Sequence, residues 1–396
     1  MTTQITPARF DAIEGLRGWL AWPVVALHVS QAVGLERTPV FGEIMRLGGT
    51  ESVRLFIIIS GFAIASLTLA RQESWPRYIT RRAFRLFPLY LVALAAGAVT
   101  MYLALAAFPH LPWGNAPDYT YALHQREAIA SVEAAPLQHA LLHLTLLQGV
   151  VGSNFLDYSQ TSILGPAWSL SLEWQFYLIA PALIWMLRQR TYQIVAIILL
   201  MCAVAAFRVG VFGEFVLPSL FAGSAQYFLI GIVSRLSIDR VRGLNLPLAA
   251  SALCLVGLGI LFHAAFSVAV WLAFLVFLAH DGASRHWADA LARKAGHIAF
   301  SSKPAMALGA RSYATYLLHW PILQTLLFVL VAQLSLTKVQ ALGVLGVSTA
   351  LLTLLCADIA YRGLERPFIK IGARIAGAKP KPSAAKSAGP LQPTLS

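Results

Sequence analysis

Apolar runs of about 18 residues or more, long enough to cross a bilayer as a helix, recur along almost the whole chain. The pattern predicts ten spans, at 16–33, 53–70, 87–107, 169–187, 192–212, 216–234, 246–262, 264–280, 312–332 and 340–361. Only a few residues around His263 separate the seventh from the eighth. Two long connections remain. Residues 108–168 are rich in Pro, His, Trp and Tyr, and their apolar stretch at 137–151 predicts a short interfacial or re-entrant helix. Residues 281–311 form the second connection, and the Pro-, Ala-, Ser- and Lys-rich tail at 376–396 reads as disordered. The expected fold class is therefore all-α: a polytopic membrane helical bundle within residues 1–375. No internal repeat is evident, which weighs against an inverted-repeat transporter.

Composition sharpens this picture. Hydrophobic residues make up 58% of the chain and charged residues 12%, against roughly 25% charged in soluble domains. The net charge of +13 invites a nucleic-acid reading, but the basic residues are confined to short segments between spans, as membrane topology requires. With the N-terminus placed in the cytoplasm, 24 of the 30 Lys and Arg residues fall on the inside. That asymmetry predicts an even number of spans, both termini cytoplasmic, 108–168 outside and 281–311 inside. The expected location is a bacterial inner membrane. No cleavable signal peptide is expected, since Arg9, Asp11, Glu14 and Arg17 precede a first span that carries His28. Cys202, Cys254 and Cys356 all fall within predicted spans, so neither a disulfide framework nor a metal site is indicated.

Polar residues inside the spans are the candidates for chemistry, because a charge at the bilayer centre costs about 3 kcal/mol on insertion scales and normally faces a protein interior or a wet cavity. Glu173 sits in GPAWSLSLEWQFYLIAP (165–181) among Trp168, Trp174, Phe176 and Tyr177. Arg17 and His28 are eleven positions apart, about 16 Å of helical rise, near one face of the first span. His28 is a candidate general base, with a packing histidine as the competing reading. Glu173, expected level with His28 at the outer end of the fourth span, is a candidate to support the imidazolium; the alternative is a structural hydrogen-bond partner. In RYITRRAFRLFP (77–88), Arg82 and Arg85 share a helical face and Arg81 widens the patch. Such a cluster binds the phosphates of a nucleotide-bearing donor or of membrane lipid headgroups, although positive-inside anchoring explains the charge equally.

His319, in RSYATYLLHWPI (311–322), is expected nearer the cytoplasm than His28, where donor binding or helix positioning suits it. Asp358, Arg362, Glu365 and Arg366 close the last span and read as an inter-helix salt-bridge latch. Arg208, near the outer end of the fifth span, and Trp168 are weaker candidates for acceptor binding. Together the helices are expected to enclose one polar chamber.

Five motifs carry a resemblance: EGLRG leading into Arg17-x10-His28, Arg82-x-x-Arg85 before Leu-Phe-Pro, W-S-L-x-x-E from Trp168 to Glu173, YLLHWPI, and a terminal LERPF. Over roughly residues 9–372 the chain resembles the acyltransferase-3 family of integral membrane O-acyltransferases. The resemblance implies transfer of an acyl group, commonly acetyl, from cytoplasmic acyl-CoA as co-substrate to a hydroxyl. The acceptor would be a carbohydrate or lipid-linked glycan such as an exopolysaccharide or O-antigen, with no metal. It assigns catalysis to His28 with Arg17 as motif partner, the donor side to Arg82 and Arg85, and an acidic motif position to Glu173. Some members carry an additional extracytoplasmic hydrolase-like domain; here the acceptor is expected to be handled by the membrane domain and the 108–168 loop, or by a separate partner. The alternative reading is a proton-coupled transporter or flippase of a polar or lipid-linked solute, using the same residues as a relay.

Overall fold

A computed structural model describes residues 7–71, 73–244, 246–261, 265–280 and 286–377. His263 and the 378–396 part of the tail lie outside the described residues. Among those described, the chain is all helical. Its long helices are α1 (Pro7–Ala32), α2 (Phe41–Ala70), α3 (Trp75–Ala107), α6 (Trp168–Arg188), α7 (Arg190–Arg208), α8 (Phe221–Gly243), α12 (Lys303–Val329) and α13 (Lys338–Ala360). Two shorter apolar helices, α9 (Leu248–Leu261) and α10 (Phe266–Ala279), follow α8. Three more, α4 (Thr120–Ala134), α5 (Pro136–Leu144) and α11 (Trp287–Gly296), lie in the long connections, and α14 (Arg366–Ile375) ends the described chain.

Seven helical segments are long and apolar enough to cross a membrane: α2, α3, α6, α7, α8, α12 and the stretch running from α13 into α14. The chain is an integral membrane protein of polytopic helical-bundle type. The seven segments together with α1, α9 and α10 correspond one for one to the ten spans expected from the sequence. α9 and α10 have 14 residues each, about 21 Å of rise and short of a full hydrocarbon thickness. α1 carries charge at its start and lies at the middle of the bundle, packed against α12, α2 and α13.

Several helices begin well before their apolar run. α2 starts twelve residues ahead of the predicted span, α3 likewise, and α12 nine. For α3 the extension has a clear cause: Pro76 occupies the first turn, where its missing N–H is harmless, and Ser74 precedes it in extended backbone. The RYITRRAFRLFP segment is thus the first part of a membrane helix and not a surface loop. Arg82 and Arg85 are drawn into the bundle.

Small residues let the central helices approach closely, as helix packing in lipid requires. A Cβ on Gly309 of α12 would collide with the carbonyl of Glu14 in α1, and one on Gly231 of α8 with the carbonyl of Ile58 in α2. The apolar core assembles around α1, α2, α3, α6 and α12.

The 108–168 connection is largely ordered. The 137–151 stretch holds only the nine-residue α5, and α4 was not anticipated because its charged sequence has no continuous apolar run. The connection is pinned by buried polar bonds. Ser162 Oγ lies 3.0 Å from His143 Nε2 and 3.2 Å from His139 Nδ1, and Ser131 Oγ lies 3.0 Å from His139 Nε2. The Tyr90 hydroxyl of α3 donates to the His143 carbonyl at 2.7 Å. His139 and His143 are both fully buried. Burial holds the His143 imidazole down to about 3, with His139 beside it adding to the effect, and lowers His139 as well.

Candidate functional site

His28 projects from α1 into a cavity of about 640 Å³. The walls come from α1, α2, the loop-side ends of α6, α7 and α8, the middle of α12 and the start of α4. Gln31, Arg54, His124 and Arg208 give it polar character, and Tyr121, Trp168, Tyr227 and Trp320 give it aromatic faces. Trp168 and Arg208 therefore share a cavity with His28. Arg54 is half-buried, paired with Glu51, and lies 5.7 Å from the Tyr227 ring centre.

The ring of His28 is held on two sides. His319 of α12 lies against it, with Nδ1 of His28 at 2.9 Å from Nε2 of His319 and the two planes 8° apart. Trp320 meets it edge-on, with centroids 5.0 Å apart. The Nδ1 of His319 lies 3.1 Å from the carbonyl of Thr315 one turn earlier. His319 is fully buried, so the expectation that it lies on the donor side of His28 is not met. A span model counts residues along a helix and cannot register how far α12 slides along α1. The indole N–H of Trp320 is buried without an acceptor among the described residues, although Trp320 lines the cavity.

Glu173 lies elsewhere. Its carboxylate accepts hydrogen bonds from Ser60 at 3.0 Å and from the Tyr177 hydroxyl, and none from His28. Together with Arg17 it lines a second, smaller cavity of about 50 Å³, also walled by Phe56, Leu170, Phe228 and Tyr313. The support of an imidazolium by Glu173 is thus corrected: the group touching His28 is His319.

The two cavities share three lining residues, Val53, Ile57 and Tyr316. Tyr316 forms the polar part of this wall, its hydroxyl 2.7 Å from Ser169 Oγ and donating to the Pro166 carbonyl at 3.0 Å. Its ring meets Phe56 edge-on. A single open chamber was expected; the structure has two compartments separated by one layer of side chains.

Beneath the small cavity Arg17, Arg82 and Arg85 converge from α1 and α3. Arg17 lies within electrostatic reach of Arg85, Glu173, Tyr177 and Glu14. Arg82 sits 6.0 Å from the Tyr78 ring centre and 5.8 Å from that of Tyr177. None of the three arginines forms an ion pair among the described residues. The Nε atoms of Arg17 and Arg82 are buried without acceptors. Carboxylates lie nearby, but none among the described residues is in contact with these guanidinium groups, so their donors are free for a phosphate-bearing ligand. Arg81 is not part of it, because it pairs with Glu73 on the other side of α3.

Sequence reading also missed Glu365. The expected inter-helix latch forms at Asp358, which bridges Arg311 of α12 at 2.6 Å and Arg362 at 2.9 Å, but Glu365 is not part of it. Glu365 is buried, lies near Arg85 and Arg17, and leaves one carboxylate oxygen unpartnered. A π-helical turn at Tyr361–Glu365 places it there, and no sequence signal marks such a turn. Tyr78, Tyr177, Tyr313 and Tyr316 were visible only as aromatic residues in membrane helices.

No cluster of potential metal ligands occurs among the described residues. The fold and the site define a polytopic membrane protein with an imidazole-bearing cavity above a buried arginine cluster. The chain matches the family model described as an acyltransferase domain over residues 10–362, and it belongs to the acyltransferase-3 family. Searches of curated proteins and of solved structures each returned no match.

Proposed function

We propose that this membrane acyltransferase is an O-acyltransferase. It takes an acyl group, acetyl in the simplest case, from acyl-CoA on the cytoplasmic side and delivers it to a hydroxyl of a carbohydrate or lipid-linked glycan on the far side. One observation carries the reading: His28 faces a polar and aromatic cavity large enough for a sugar ring, and an unpaired arginine cluster lies on the opposite side of a thin wall. Phosphates of the donor would rest against Arg17, Arg82 and Arg85, and the thioester arm would reach up past the small cavity. The acceptor would stack on Trp168, Tyr227 or Trp320, with Arg208 and Arg54 favouring an anionic sugar.

In this scheme Nε2 of His28 takes the proton from the acceptor hydroxyl as its oxygen attacks the thioester carbonyl. The carbonyl electrons collapse back, the carbon–sulfur bond breaks, and the CoA thiolate leaves and takes the proton from the imidazolium. The wall between the cavities keeps water from the thioester until the acceptor is in place.

The test is labelled acetyl-CoA supplied to inverted vesicles containing the wild-type chain or His28→Ala. Covalent label on glycan with the wild type and none with His28→Ala, at equal protein level in the membrane, supports the proposal. Retained transfer with His28→Ala removes His28 from the chemistry. Two compartments with a thin wall between them are also what alternating access requires, so the transporter reading keeps one specific observation in its favour. A pH-driven solute flux without covalent product would establish it.

A further inference from the structure

The two imidazoles form a chain with a direction. The Thr315 carbonyl can only accept, so the His319 nitrogen 3.1 Å from it, Nδ1, carries the proton. His319 is fully buried and has no carboxylate partner among the described residues, and an unpaired cation in such a place is strongly disfavoured. Neutral His319 with its proton on Nδ1 presents a bare lone pair at Nε2. The contact at 2.9 Å then requires the proton to reside on Nδ1 of His28, which donates to His319. His28 is left with its lone pair on Nε2, the nitrogen not engaged by α12, on a side chain that lines the large cavity.

We propose that His319 is the positioning residue of the site: by accepting from Nδ1–H it fixes His28 in the tautomer whose Nε2 faces the acceptor as a base. The alternative tautomer would place a proton where the acceptor hydroxyl must donate. His319 also gives the imidazolium, once formed, a hydrogen bond acceptor in a region without a carboxylate at hand. The carboxylate that orients histidine in hydrolytic triads is here replaced by a second imidazole, anchored to backbone. Neutral partners suit this depth, because a buried carboxylate would add a second charge to desolvate. Trp320 packs edge-on against the same ring, with centroids 5.0 Å apart.

The proposal uses the acyl-transfer reading only for its kinetic arm, and its spectroscopic arm is independent of turnover. The full-length chain is labelled with ring-¹⁵N histidine and placed in nanodiscs at neutral pH, with the His28→Ala spectrum identifying the residue. Wild-type His28 is expected to carry its proton on Nδ1. His319→Gln, whose amide oxygen can still accept, is expected to keep that state, whereas His319→Leu is expected to give a mixture of tautomers. In the transfer assay His319→Leu should lose between about 10-fold and about 10⁴-fold in kcat, the upper figure being the loss when the orienting group of a hydrolytic triad is changed. KM for donor and acceptor should stay unchanged, and His319→Gln should recover most of the rate. Finding the His28 proton on Nε2 in the wild type overturns the proposal whether or not the His319 variants fold. So does a His319→Leu chain with unchanged tautomer and kcat. A wild type that shows the Nδ1–H state yet transfers no acyl group would sink the functional reading while leaving the orientation of the base established.

Discussion

The wall between the two cavities is the feature whose disturbance has the most readable consequence. Tyr316 spans it from α12 to the start of α6, with its hydroxyl bonded to Ser169 and to the Pro166 carbonyl. Tyr316→Phe removes both contacts but keeps the ring. Ser169 still donates to Pro166 at 3.2 Å, so no acceptor is stranded and the cost is about 1 kcal/mol. Tyr316→Leu removes the ring as well and leaves a gap where cavities of about 50 and about 640 Å³ adjoin. Large-to-small changes of this kind cost about 2–4 kcal/mol, which a bundle of this size tolerates. In inverted vesicles supplied with acetyl-CoA, the ratio of free CoA released without acceptor to acyl transferred should stay near wild type for Tyr316→Phe. It should rise several-fold for Tyr316→Leu, because water from the larger cavity then reaches the thioester. Equal ratios in wild type and Tyr316→Leu, with thermal unfolding confirming a folded chain, would refute the assignment of this residue to the partition.

Two further outcomes follow from the same geometry. Arg82→Lys gives up the planar guanidinium fork that a phosphate engages bidentately, a loss of about 1.5 kcal/mol for one charge-assisted hydrogen bond, so KM for the acyl donor should rise about 10-fold. Arg81→Lys, whose partner is Glu73, should leave KM alone; equal effects at both positions would contradict the division of the arginine patch. The histidine pair in the 108–168 connection should make it acid-sensitive. Burial keeps His143 neutral in the fold, down to about 3, whereas an unfolded histidine titrates near 6.5. The stability this neutral pair contributes is complete above about pH 6.5 and is lost as pH falls toward 3, by about 2–3 kcal/mol at pH 4.5. Protection factors across residues 136–164, corrected for the intrinsic pH dependence of amide exchange, should therefore fall between pH 7.5 and about 4.5, and flat protection over that range would count against the buried pair.

Apolar run length settled that the chain is a helical membrane bundle, since hydrocarbon tolerates no other backbone solution for such runs. Rare polar residues within those runs marked His28, Glu173, Arg17, Arg82, Arg85 and His319, because each is costly to bury without a reason. Boundaries were less legible. Amphipathic extensions such as the start of α3 carry charge and escape a hydropathy window, and α4 has no apolar run at all.

Which polar residues meet was decided only by tertiary packing. Intervals along one helix are fixed by its rise, but the slide of α12 along α1 depends on where Gly309 allows the two backbones to touch. That slide put His319 against His28 and left Glu173 with Ser60 and Tyr177. The separation of Arg81 from Arg82 and the inward turn of Glu365 have the same origin. A sequence states which side chains a helix carries; the contacts between helices state which of them share a compartment.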